Sequence, residues 1–369
     1  MKKVLVMGMS PNRGGMESVI MNYARALYKE DFRFDYITYN GHPYCQDEIT
    51  ELGGRCFIVA GRSKYPIKNQ RELSWIFREH GVEYSALWYN CCLITDMNIL
   101  KLADKAGIPK IIVHSHNSKP MGNLVQNRMH ESNKKKIKRY ATDFWACSQS
   151  AGEFFYSKSI LKSPEYRVIK NAINTENFVF DENARQELRA ELGVGPENLL
   201  LGNVGRFHPQ KNQEFLLEIF KETVNLRPEA RLVIVGQGEL ESKLKKSAAD
   251  MGISDKVIFT GQRSDVAKLY SAMDAFALPS LYEGLPVTLV EAQTSGLACF
   301  TSSEAVTDEA AATSELKFLS LKDGARKWAE ALAEIQLISS EKRMETGKKL
   351  CQSDWNIDLA AKDMGALLS

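Results

Sequence analysis

The chain has 369 residues, which is more than one hydrophobic core of ordinary size accommodates, so its length favours two domains over one. Hydrophobic residues make up 44% and charged residues 25%, a composition that excludes a disordered, collagen-like or coiled-coil chain. The 48 basic and 46 acidic residues leave a net charge of +2, which argues against a dedicated nucleic-acid binder with a strongly basic surface.

The distribution of apolar residues and cysteines predicts a cytoplasmic protein. The longest stretches without a charge, Tyr84–Thr95 and Ala292–Ser303, have 12 residues each, whereas a membrane-spanning helix needs about 20 apolar residues. Lys2 and Lys3 precede only six apolar or small residues, fewer than a signal-peptide core, so we interpret this segment as an opening β-strand. The seven cysteines include no C-x-x-C pair, and we expect reduced thiols without structural zinc.

A strand followed by a helix recurs along the first half of the chain. The apolar run Lys3–Met9 ends in a turn signal, and the helical pattern Gly15–Lys29 follows it. Further strands are predicted at Phe34–Tyr39, Arg55–Ala60, Tyr84–Trp88, Lys110–His114, Phe144–Cys147 and Arg167–Ile169. Helical patterns at Asn69–Glu79 and Met97–Ala106 separate several of these strands. Such alternation predicts a parallel sheet with helices on both faces.

The same alternation restarts after the polar stretch Thr175–Glu197. Strands are predicted at Leu199–Val204, Arg231–Val235, Val257–Thr260, Ala275–Leu278 and Ala298–Thr301. Helices are predicted at Gln213–Asn225, Glu239–Met251, Ser264–Ala272, Pro286–Ser295, Asp323–Leu337, Glu341–Cys351 and Asp354–Leu368.

We therefore predict an α/β protein of two doubly wound, Rossmann-like domains that face each other across a cleft. The first domain comprises residues 1–174 and the second residues 175–353, and a C-terminal helix at about 354–369 packs back on the first domain. In such a pair, ligands bind beyond the carboxyl ends of the strands.

The first strand ends in a glycine-containing loop, Gly8-Met9-Ser10-Pro11-Asn12-Arg13-Gly14-Gly15. Its glycines lack the G-x-G-x-x-G spacing of dinucleotide-binding loops, and no suitable acidic residue follows about 20 positions later. This disfavours a nicotinamide-dependent dehydrogenase. Two interpretations stay open for Gly14 and Gly15: a tight strand–helix turn, or backbone amides at a helix N-terminus that bind an anion.

Two cations follow the first strand of the second predicted domain, Arg206 and Lys211. At the carboxyl end of a strand they could clamp a diphosphate, Arg206 through a forked contact and Lys211 as a point charge. The alternative is that both are ordinary solvated surface residues.

The most informative segment is Glu283-Gly284-Leu285-Pro286-Val287-Thr288-Leu289-Val290-Glu291. Pro286 suits the first position of a helix, and the N-terminus of that helix would favour a phosphate. Glu291 lies about five residues into the helix among apolar neighbours, so it needs a partner if it is buried, and a ribose diol would serve. Glu283 could accept hydrogen bonds from sugar hydroxyls. Alternatively, both are ordinary surface carboxylates.

Together these segments resemble the retaining glycosyltransferases of family 4, which have the GT-B fold, over the full length of the chain. The most specific stretch runs from Gly261–Val266 through Met273–Ser280 to Glu283–Glu291, which has the form of the family's E-x7-E motif. Within the family, the chain is similar to bacterial exopolysaccharide and capsule enzymes.

Other motifs of the family are matched more loosely. Its first-loop glycine pair corresponds to Gly14-Gly15, and its diphosphate clamp to Gly205-Arg206 with Lys211. Asn171-Ala172-Ile173-Asn174 matches the family's NGID-like turn, with Ala in place of Gly and Asn in place of Asp. This departure weakens any role for the turn but not the assignment to the family.

The resemblance implies a nucleotide-sugar donor that is held mostly by the second domain. Glu291 would hold the ribose, Arg206 and Lys211 the diphosphate, and Glu283 the sugar. The remaining donor-binding residues that it implies are Gly14, Gly15, Arg263, Gly284, Leu285, Pro286 and Val287. It also implies that the acceptor hydroxyl attacks from the leaving group's own face, and that a donor phosphate oxygen takes its proton.

The segment His114-Ser115-His116 follows a predicted strand, and its two imidazoles could share a face. No third ligand is suggested nearby, so a metal site is disfavoured against a structural role. The family has a histidine at the end of this strand, close to the transferred sugar. His116 is the first match and His114 the second, because the sequence does not fix the register.

A basic segment, Lys119–Tyr140, contains seven basic residues against the single acid Glu131. It is either a solvated helix face or a contact for anionic lipid or for a lipid-diphosphate acceptor. We therefore expect a glycan or lipid-linked acceptor, no nucleic acid, and peripheral contact with the inner face of the plasma membrane.

No cofactor and no metal are expected, because the chain contains no D-x-D triplet to hold a metal–diphosphate complex. Two other functions stay open on the same fold. A sugar-nucleotide epimerase would release free sugar without an acceptor, and a non-catalytic nucleotide-sugar-binding protein would bind the donor without turnover.

Overall fold

The computed structural model describes residues 1–12, 14–120 and 122–369 and divides into two compact units. The first unit comprises Met1–Ala172 together with Ile357–Ser369, and the second comprises Ile173–Asn356. The boundaries between the units lie after residues 172 and 356, whereas the sequence predicted them after residues 174 and 353. The C-terminal helix is part of the first unit.

The first unit is built on a parallel sheet with the strand order β3-β2-β1-β4-β5-β6-β7 in the described residues. Its strands are β1 (Lys2–Met9), β2 (Phe32–Tyr39), β3 (Cys56–Val59), β4 (Ala86–Cys91), β5 (Lys110–Ser115), β6 (Asp143–Ala146) and β7 (Tyr166–Val168). Its helices before the second unit are α1 (Gly15–Tyr28), α2 (Gln46–Glu51), α3 (Pro66–His80), α4 (Asn98–Lys105), α5 (Leu124–Lys134), α6 (Gln149–Phe155) and α7 (Lys158–Leu161).

The central strands of this sheet are buried on both faces, which is why their sequences are continuous apolar runs rather than alternating ones. Val4, Leu5 and Val6 of β1 are fully buried. The order of the strands reverses between β1 and β4, which are hydrogen-bonded neighbours. In doubly wound sheets, the carboxyl ends of the strands at such a switch point form the ligand-binding edge.

The second unit repeats this architecture with the strand order β10-β9-β8-β11-β12-β13 in the described residues. Its strands are β8 (Leu200–Val204), β9 (Arg231–Val235), β10 (Val257–Gly261), β11 (Ala275–Leu278), β12 (Ala298–Ser302) and β13 (Leu316–Leu319). Its helices are α8 (Glu182–Glu191), α9 (Gln213–Leu226), α10 (Glu241–Asp250), α11 (Val266–Ala272), α12 (Val287–Thr294), α13 (Gly324–Ala333) and α14 (Ser340–Cys351), and α15 (Ile357–Leu368) returns to the first unit. The prediction of two doubly wound α/β domains is confirmed.

Helix α8 lies inside the stretch that the sequence analysis treated only as a polar break. Asp181 caps it by accepting hydrogen bonds from the backbone N–H groups of Asn183 and Ala184. Its buried face includes Arg189, whose guanidinium lies 3.1 Å from Asp274 and donates to the Asn198 carbonyl. Only two apolar residues, Ala184 and Leu188, mark this buried face in the sequence, which is too short a pattern for a helix prediction.

Within the described ranges, every helix is too short or too polar to cross a membrane.

Candidate functional site

Three loops of the second unit lie at the carboxyl ends of neighbouring parallel strands. They follow β8, β9 and β11, and β8 pairs with both of the others. Because these loops leave one edge of one sheet, their side chains converge at the switch point between β8 and β11. The sequence-predicted Arg206, Lys211 and Glu283 all belong to them.

The loop after β8 is fixed by close backbone contacts with the loop after β9. A β-carbon on Gly236, whose φ is +138°, would lie 2.1 Å from the Gly205 carbonyl oxygen, and one on Gly238 would lie 2.3 Å from the Phe207 carbonyl oxygen. Side chains are therefore excluded at both positions. The fully buried Phe207 anchors the loop, and its N–H donates to the Gln237 carbonyl at 3.0 Å.

Further hydrogen bonds join the loop after β8 to the loop after β11. The Leu281 N–H donates to the Gln210 carbonyl at 2.8 Å, and Gln210 Nε2 donates to the Tyr282 carbonyl at 2.9 Å. Asn212 Nδ2 donates to the Pro279 carbonyl at 3.0 Å. The two segments on which the function was predicted thus form one hydrogen-bonded surface.

Lys211 and Glu283 form an ion pair in that surface, with 2.7 Å between Lys211 Nζ and Glu283 Oε1. Their side chains are 17% and 7% exposed, respectively. The interpretation of both as solvated surface residues is therefore wrong. Breaking one side of a buried pair leaves an uncompensated charge, so Lys211 contributes to folding as well as to the site.

Arg206 differs from Lys211 in being exposed. Its side chain is 59% exposed, and its Nη2 lies 3.1 Å from Glu239 Oε2. Its carbonyl accepts a hydrogen bond at 3.0 Å from Nε2 of the buried Gln213. The backbone of Arg206 is thus fixed, while its guanidinium extends into solvent. This arrangement leaves the guanidinium accessible to an anionic ligand.

Helix α12 begins directly after the Glu283 loop. Pro286 is the N-cap of the helix, with φ −71° and ψ 114°, rather than its predicted first residue, which is Val287. Gly284 is partly exposed, whereas Leu285 and Val287 are buried. The N-terminus of α12 therefore lies at the same edge of the sheet as the Lys211–Glu283 pair, where its dipole favours negative charge.

Glu291 is partly buried on α12, and its partner in the structure is a tyrosine. The Tyr270 hydroxyl donates to Glu291 Oε2 at 2.8 Å. The sequence predicted that Glu291, if buried, needs a hydrogen-bond partner, and suggested a ribose diol. In the structure, Tyr270 of α11 is such a partner.

Arg263 does not extend into the site in the structure. Its guanidinium contacts both oxygens of Asp265 at 2.7 Å and Oε1 of Glu191 at 2.6 Å. These carboxylates raise the pKa of Arg263, and it would have to leave them to bind a donor. The structure thus does not group Arg263 with Lys211 and Glu283.

The first unit has a separate group of polar residues at the carboxyl edge of its sheet. Gly14 is the N-cap of α1 and Gly15 its first residue, as the strand–helix turn predicted. A carboxylate oxygen of Glu17 lies 2.6 Å from where a β-carbon on Gly14 would be, and its other oxygen accepts from the Ser10 hydroxyl at 2.6 Å. The chain's own carboxylate thus lies at this helix N-terminus, which argues against the anion contact predicted for Gly14 and Gly15.

Burial raises the pKa of Glu17, and hydrogen bonds from Ser10 and from backbone groups only partly offset this effect. Glu17 was missed from the sequence. Its position three residues after the N-cap of a predicted helix was the available signal.

The two histidines after β5 have different surroundings. His114 is fully buried, and its Nδ1 accepts a hydrogen bond from the Trp88 indole N–H at 3.1 Å. His116 follows the end of the strand, and its Nε2 donates to Asn90 Oδ1 at 2.8 Å. The sequence left open which of the two histidines lies at the carboxyl edge of the sheet, and in the structure it is His116. Asn90, which fixes its tautomer, was missed.

Both imidazoles are neutral at physiological pH. Burial lowers the pKa of His116 to about 3 and holds that of His114 well below its ordinary value, with the neighbouring His116 adding to the effect. The ring centroids are 4.2 Å apart. His116 is therefore suited to hydrogen bonding with a ligand rather than to general acid catalysis. Within residues 1–12, 14–120 and 122–369, no group of three or more His, Cys, Asp or Glu could hold a metal ion.

Within the predicted basic segment, Leu124–Lys134 form α5 and Ile137–Arg139 form the turn that follows it, and Met121 lies outside the described residues. Lys134 Nζ donates to the Phe154 carbonyl at 2.6 Å, so this lysine is used within the fold. Lys135, Lys136 and Lys138 are exposed. The neighbouring Leu124 and Val125, at the start of α5, are exposed apolar residues.

Comparisons with known proteins agree with this architecture. The sequence profile of the family Glycosyl transferases group 1 matches residues 184–350. The protein named glycosyltransferase EpsF of Bacillus subtilis is 33% identical over 373 residues, which cover 100% of this chain and 96% of EpsF. An Escherichia coli UDP-Gal:alpha-D-GlcNAc-diphosphoundecaprenol alpha-1,3-galactosyltransferase is 37% identical over 138 residues, 37% of this chain and 36% of that enzyme.

Solved structures share the fold at low sequence identity. Anabaena HepE, crystallised with UDP and glucose, has a TM-score of 0.78 and 15% identity and covers 100% of this chain and 99% of its own. WaaG, a glycosyltransferase of lipopolysaccharide biosynthesis, has a TM-score of 0.68 and 17% identity and covers 98% of this chain and 99% of its own. The chain belongs to the family Glycosyl transferases group 1, the family 4 glycosyltransferases with the GT-B fold.

Proposed function

We propose that this glycosyltransferase moves a hexosyl group, with retention of anomeric configuration, from a nucleoside-diphosphate sugar to a glycan or lipid-linked acceptor in exopolysaccharide or capsule biosynthesis. The observation that carries the proposal is the buried Lys211–Glu283 pair beside the N-terminus of α12. It combines a cation for a diphosphate with a carboxylate for sugar hydroxyls at one sheet edge. The names of the relatives support UDP as the nucleotide and a diphosphate-linked lipid as the acceptor.

In this proposal, each polar group of the second unit has a separate role. Glu291 accepts hydrogen bonds from the ribose, and Arg206 and Lys211 contact the diphosphate. Glu283 and the backbone from Gly284 to Val287 hold the sugar. Lys211 thereby links the group that recognises the sugar to the leaving group, because its ammonium carries three donors and Glu283 uses one of them.

The proposed transition state is oxocarbenium-like, and negative charge develops on the departing diphosphate. Arg206, Lys211 and the positive end of α12 stabilise charge that appears only during the reaction, which is how an enzyme lowers a barrier rather than only tightening binding. The acceptor hydroxyl attacks from the leaving group's face and gives its proton to a donor phosphate oxygen. His116, neutral and held by Asn90, hydrogen-bonds the transferred sugar.

The test is a thermal-shift screen against UDP-, GDP- and ADP-sugars, followed by transfer to a lipid-diphosphate acceptor. A ligand at about 100 times its Kd stabilises the folded protein by roughly 2.7 kcal/mol, which a melting curve resolves. Proton NMR of the product reports the anomeric configuration. An inverted product contradicts the retaining assignment. Release of free sugar at the same rate without acceptor favours the epimerase alternative, and binding without turnover favours a binding protein.

We expect transfer to continue in excess EDTA. Two cations and the N-terminus of α12 can neutralise the leaving group without a divalent ion. The measurement is the initial rate after dialysis against EDTA, with and without added Mg²⁺ or Mn²⁺, and with a metal-dependent glycosyltransferase as a positive control. Complete loss of transfer that either ion restores contradicts this expectation.

Peripheral contact with an anionic membrane, at the inner face of the plasma membrane, belongs to the same proposal. Lys135, Lys136 and Lys138 are exposed, and each basic residue near an anionic surface contributes roughly 1 kcal/mol. Leu124 and Val125 supply exposed apolar contact nearby. Such a contact would bring the enzyme to a lipid-linked acceptor.

We expect the Lys135/Lys136/Lys138→Glu variant to lose sedimentation with anionic liposomes that the unmodified protein shows at low salt. Lys134 is left intact because the fold uses it. The matched control is Lys243/Lys245/Lys246→Glu in α10, which changes the net charge equally on the second unit. Equal binding by all three proteins, or binding by none, identifies the segment as a solvated helix face.

A further inference from the structure

Tyr270 lies at a point where α11 meets α12. It is fully buried, and its hydroxyl lies 2.8 Å from Glu291 Oε2 and 3.3 Å from the Thr288 carbonyl oxygen. A single O–H therefore connects the side chain proposed to hold the ribose to a neighbouring helix, and the shorter contact is the one with Glu291. No sequence motif had pointed to Tyr270.

The tyrosine itself is held at both ends. Its carbonyl accepts a hydrogen bond at 2.9 Å from Nη2 of the buried Arg343. Its ring contacts the rings of Phe178 and Phe276 at angles of about 60°, with centroids 5.9 and 5.8 Å away. The hydroxyl consequently has little freedom to follow a moving carboxylate, and Glu291 must come to it.

The hydroxyl acts as a donor at any physiological pH. Burial and the adjacent Glu291 carboxylate raise the pKa of Tyr270 well above its ordinary value. A glutamate side chain otherwise samples several rotamers, and ordering it costs free energy when a ligand binds. A carboxylate has about four lone-pair sites, so one bond from Tyr270 fixes its orientation and is compatible with hydrogen bonds from a diol.

We infer that Tyr270 is a positioning residue for the nucleotide: it orients the Glu291 carboxylate toward the ribose hydroxyls and so sets the preference for ribonucleotides over 2′-deoxyribonucleotides. This inference rests on the proposed role of Glu291 in holding the ribose. Tyr270 would thus contact no ligand itself, but it would determine how strongly the enzyme discriminates between ribose and 2′-deoxyribose in the nucleotide.

The experiment is calorimetric titration with UDP, GDP and ADP and with their 2′-deoxy counterparts. The proteins are the unmodified chain, Tyr270→Phe, Glu291→Gln and the control Thr294→Val. Thr294 is a buried residue of α12 whose hydroxyl bonds the Val290 carbonyl, so this control removes a buried hydroxyl from the same helix without touching Glu291.

For the nucleotide that binds most tightly, the unmodified chain should prefer the ribose form by about 10- to 100-fold, as expected for a hydrogen bond to a charged group. Glu291→Gln and Tyr270→Phe should lose most of this preference, and Thr294→Val should keep it. If Tyr270 contributes to stability alone, Tyr270→Phe would instead weaken the binding of the ribose and 2′-deoxy nucleotides equally. The ratio of their affinities would then stay unchanged, which overturns the inference.

The outcomes separate the inference from the function on which it rests. If the unmodified chain shows no preference, or Glu291→Gln retains it, the ribose assignment fails and the inference with it. If Glu291→Gln loses the preference and Tyr270→Phe keeps it, only the role of Tyr270 is wrong. Should Tyr270→Phe fail to fold, 3-fluorotyrosine at position 270 keeps the shape but donates more strongly to Glu291. Because a stronger bond holds the carboxylate more firmly in its orientation, the preference should then rise, and an unchanged or lower ratio overturns the inference.

Discussion

Replacing Arg206 with alanine is expected to lower turnover about 30- to 1000-fold and to leave the unfolding temperature close to that of the unmodified protein. The guanidinium is mostly exposed, and its one described ion pair, with Glu239, is a surface pair. Surface pairs contribute about 0–1 kcal/mol to stability. A charge-assisted contact to the developing diphosphate, by contrast, is worth roughly 2–4 kcal/mol in the transition state.

The measurement is kcat/KM for transfer, together with a melting curve for each variant. Arg326→Ala is the matched control, because Arg326 is similarly exposed in the same unit and pairs with Glu222 and Glu330 on the surface. It should change neither quantity. Arg206→Lys should recover only part of the activity, since lysine cannot make the forked contact. Near-normal turnover in Arg206→Ala would refute its role at the diphosphate.

The fold could be predicted from the sequence because buried parallel strands are continuous apolar runs. Arg231–Val235 and Ala275–Leu278 were predicted with the bounds that the structure has. The edge strand Leu316–Leu319 was missed, since it is short and only one of its residues is buried. The second unit's first helix was missed because only two apolar residues, Ala184 and Leu188, mark its buried face beside Arg189.

The candidate site was predictable residue by residue but not in its pairings. A sequence identifies Lys211 and Glu283 as chemically suitable, yet they are 72 positions apart, and only the fold determines which loops meet. The same limit applies to Glu291, whose partner Tyr270 is 21 positions away on another helix. At Gly14 and Gly15, the pattern left a tight turn and an anion site open, and the position of the Glu17 carboxylate favours the turn. Short-range motifs thus identified candidates, while long-range contacts determined which of them are paired.

The Lys211–Glu283 pair leads to the second large expected effect, which differs in kind from that of Arg206. Lys211→Ala should lower turnover and also destabilise the protein by about 3–5 kcal/mol, because the buried Glu283 carboxylate keeps its charge but loses the ammonium that compensates it. Lys243→Ala is a close control, since Lys243 and Glu214 are also 2.7 Å apart but lie on the surface, with 61% and 37% exposed side chains. That variant should lose no more than about 1 kcal/mol.

The double variant Lys211→Met/Glu283→Gln separates the two contributions of the pair. It removes both charges while keeping similar volumes, so it should regain much of the stability that Lys211→Ala loses. It should not regain turnover, because neither the cation for the diphosphate nor the carboxylate for the sugar is present. Chemical denaturation gives the free energy of unfolding, and the coupling between the two positions follows from the double-mutant cycle. If turnover recovers along with stability, the Lys211–Glu283 pair only supports the fold. If stability recovers alone, the pair has two roles: it holds the loops after β8 and β11 together, and it acts on the donor.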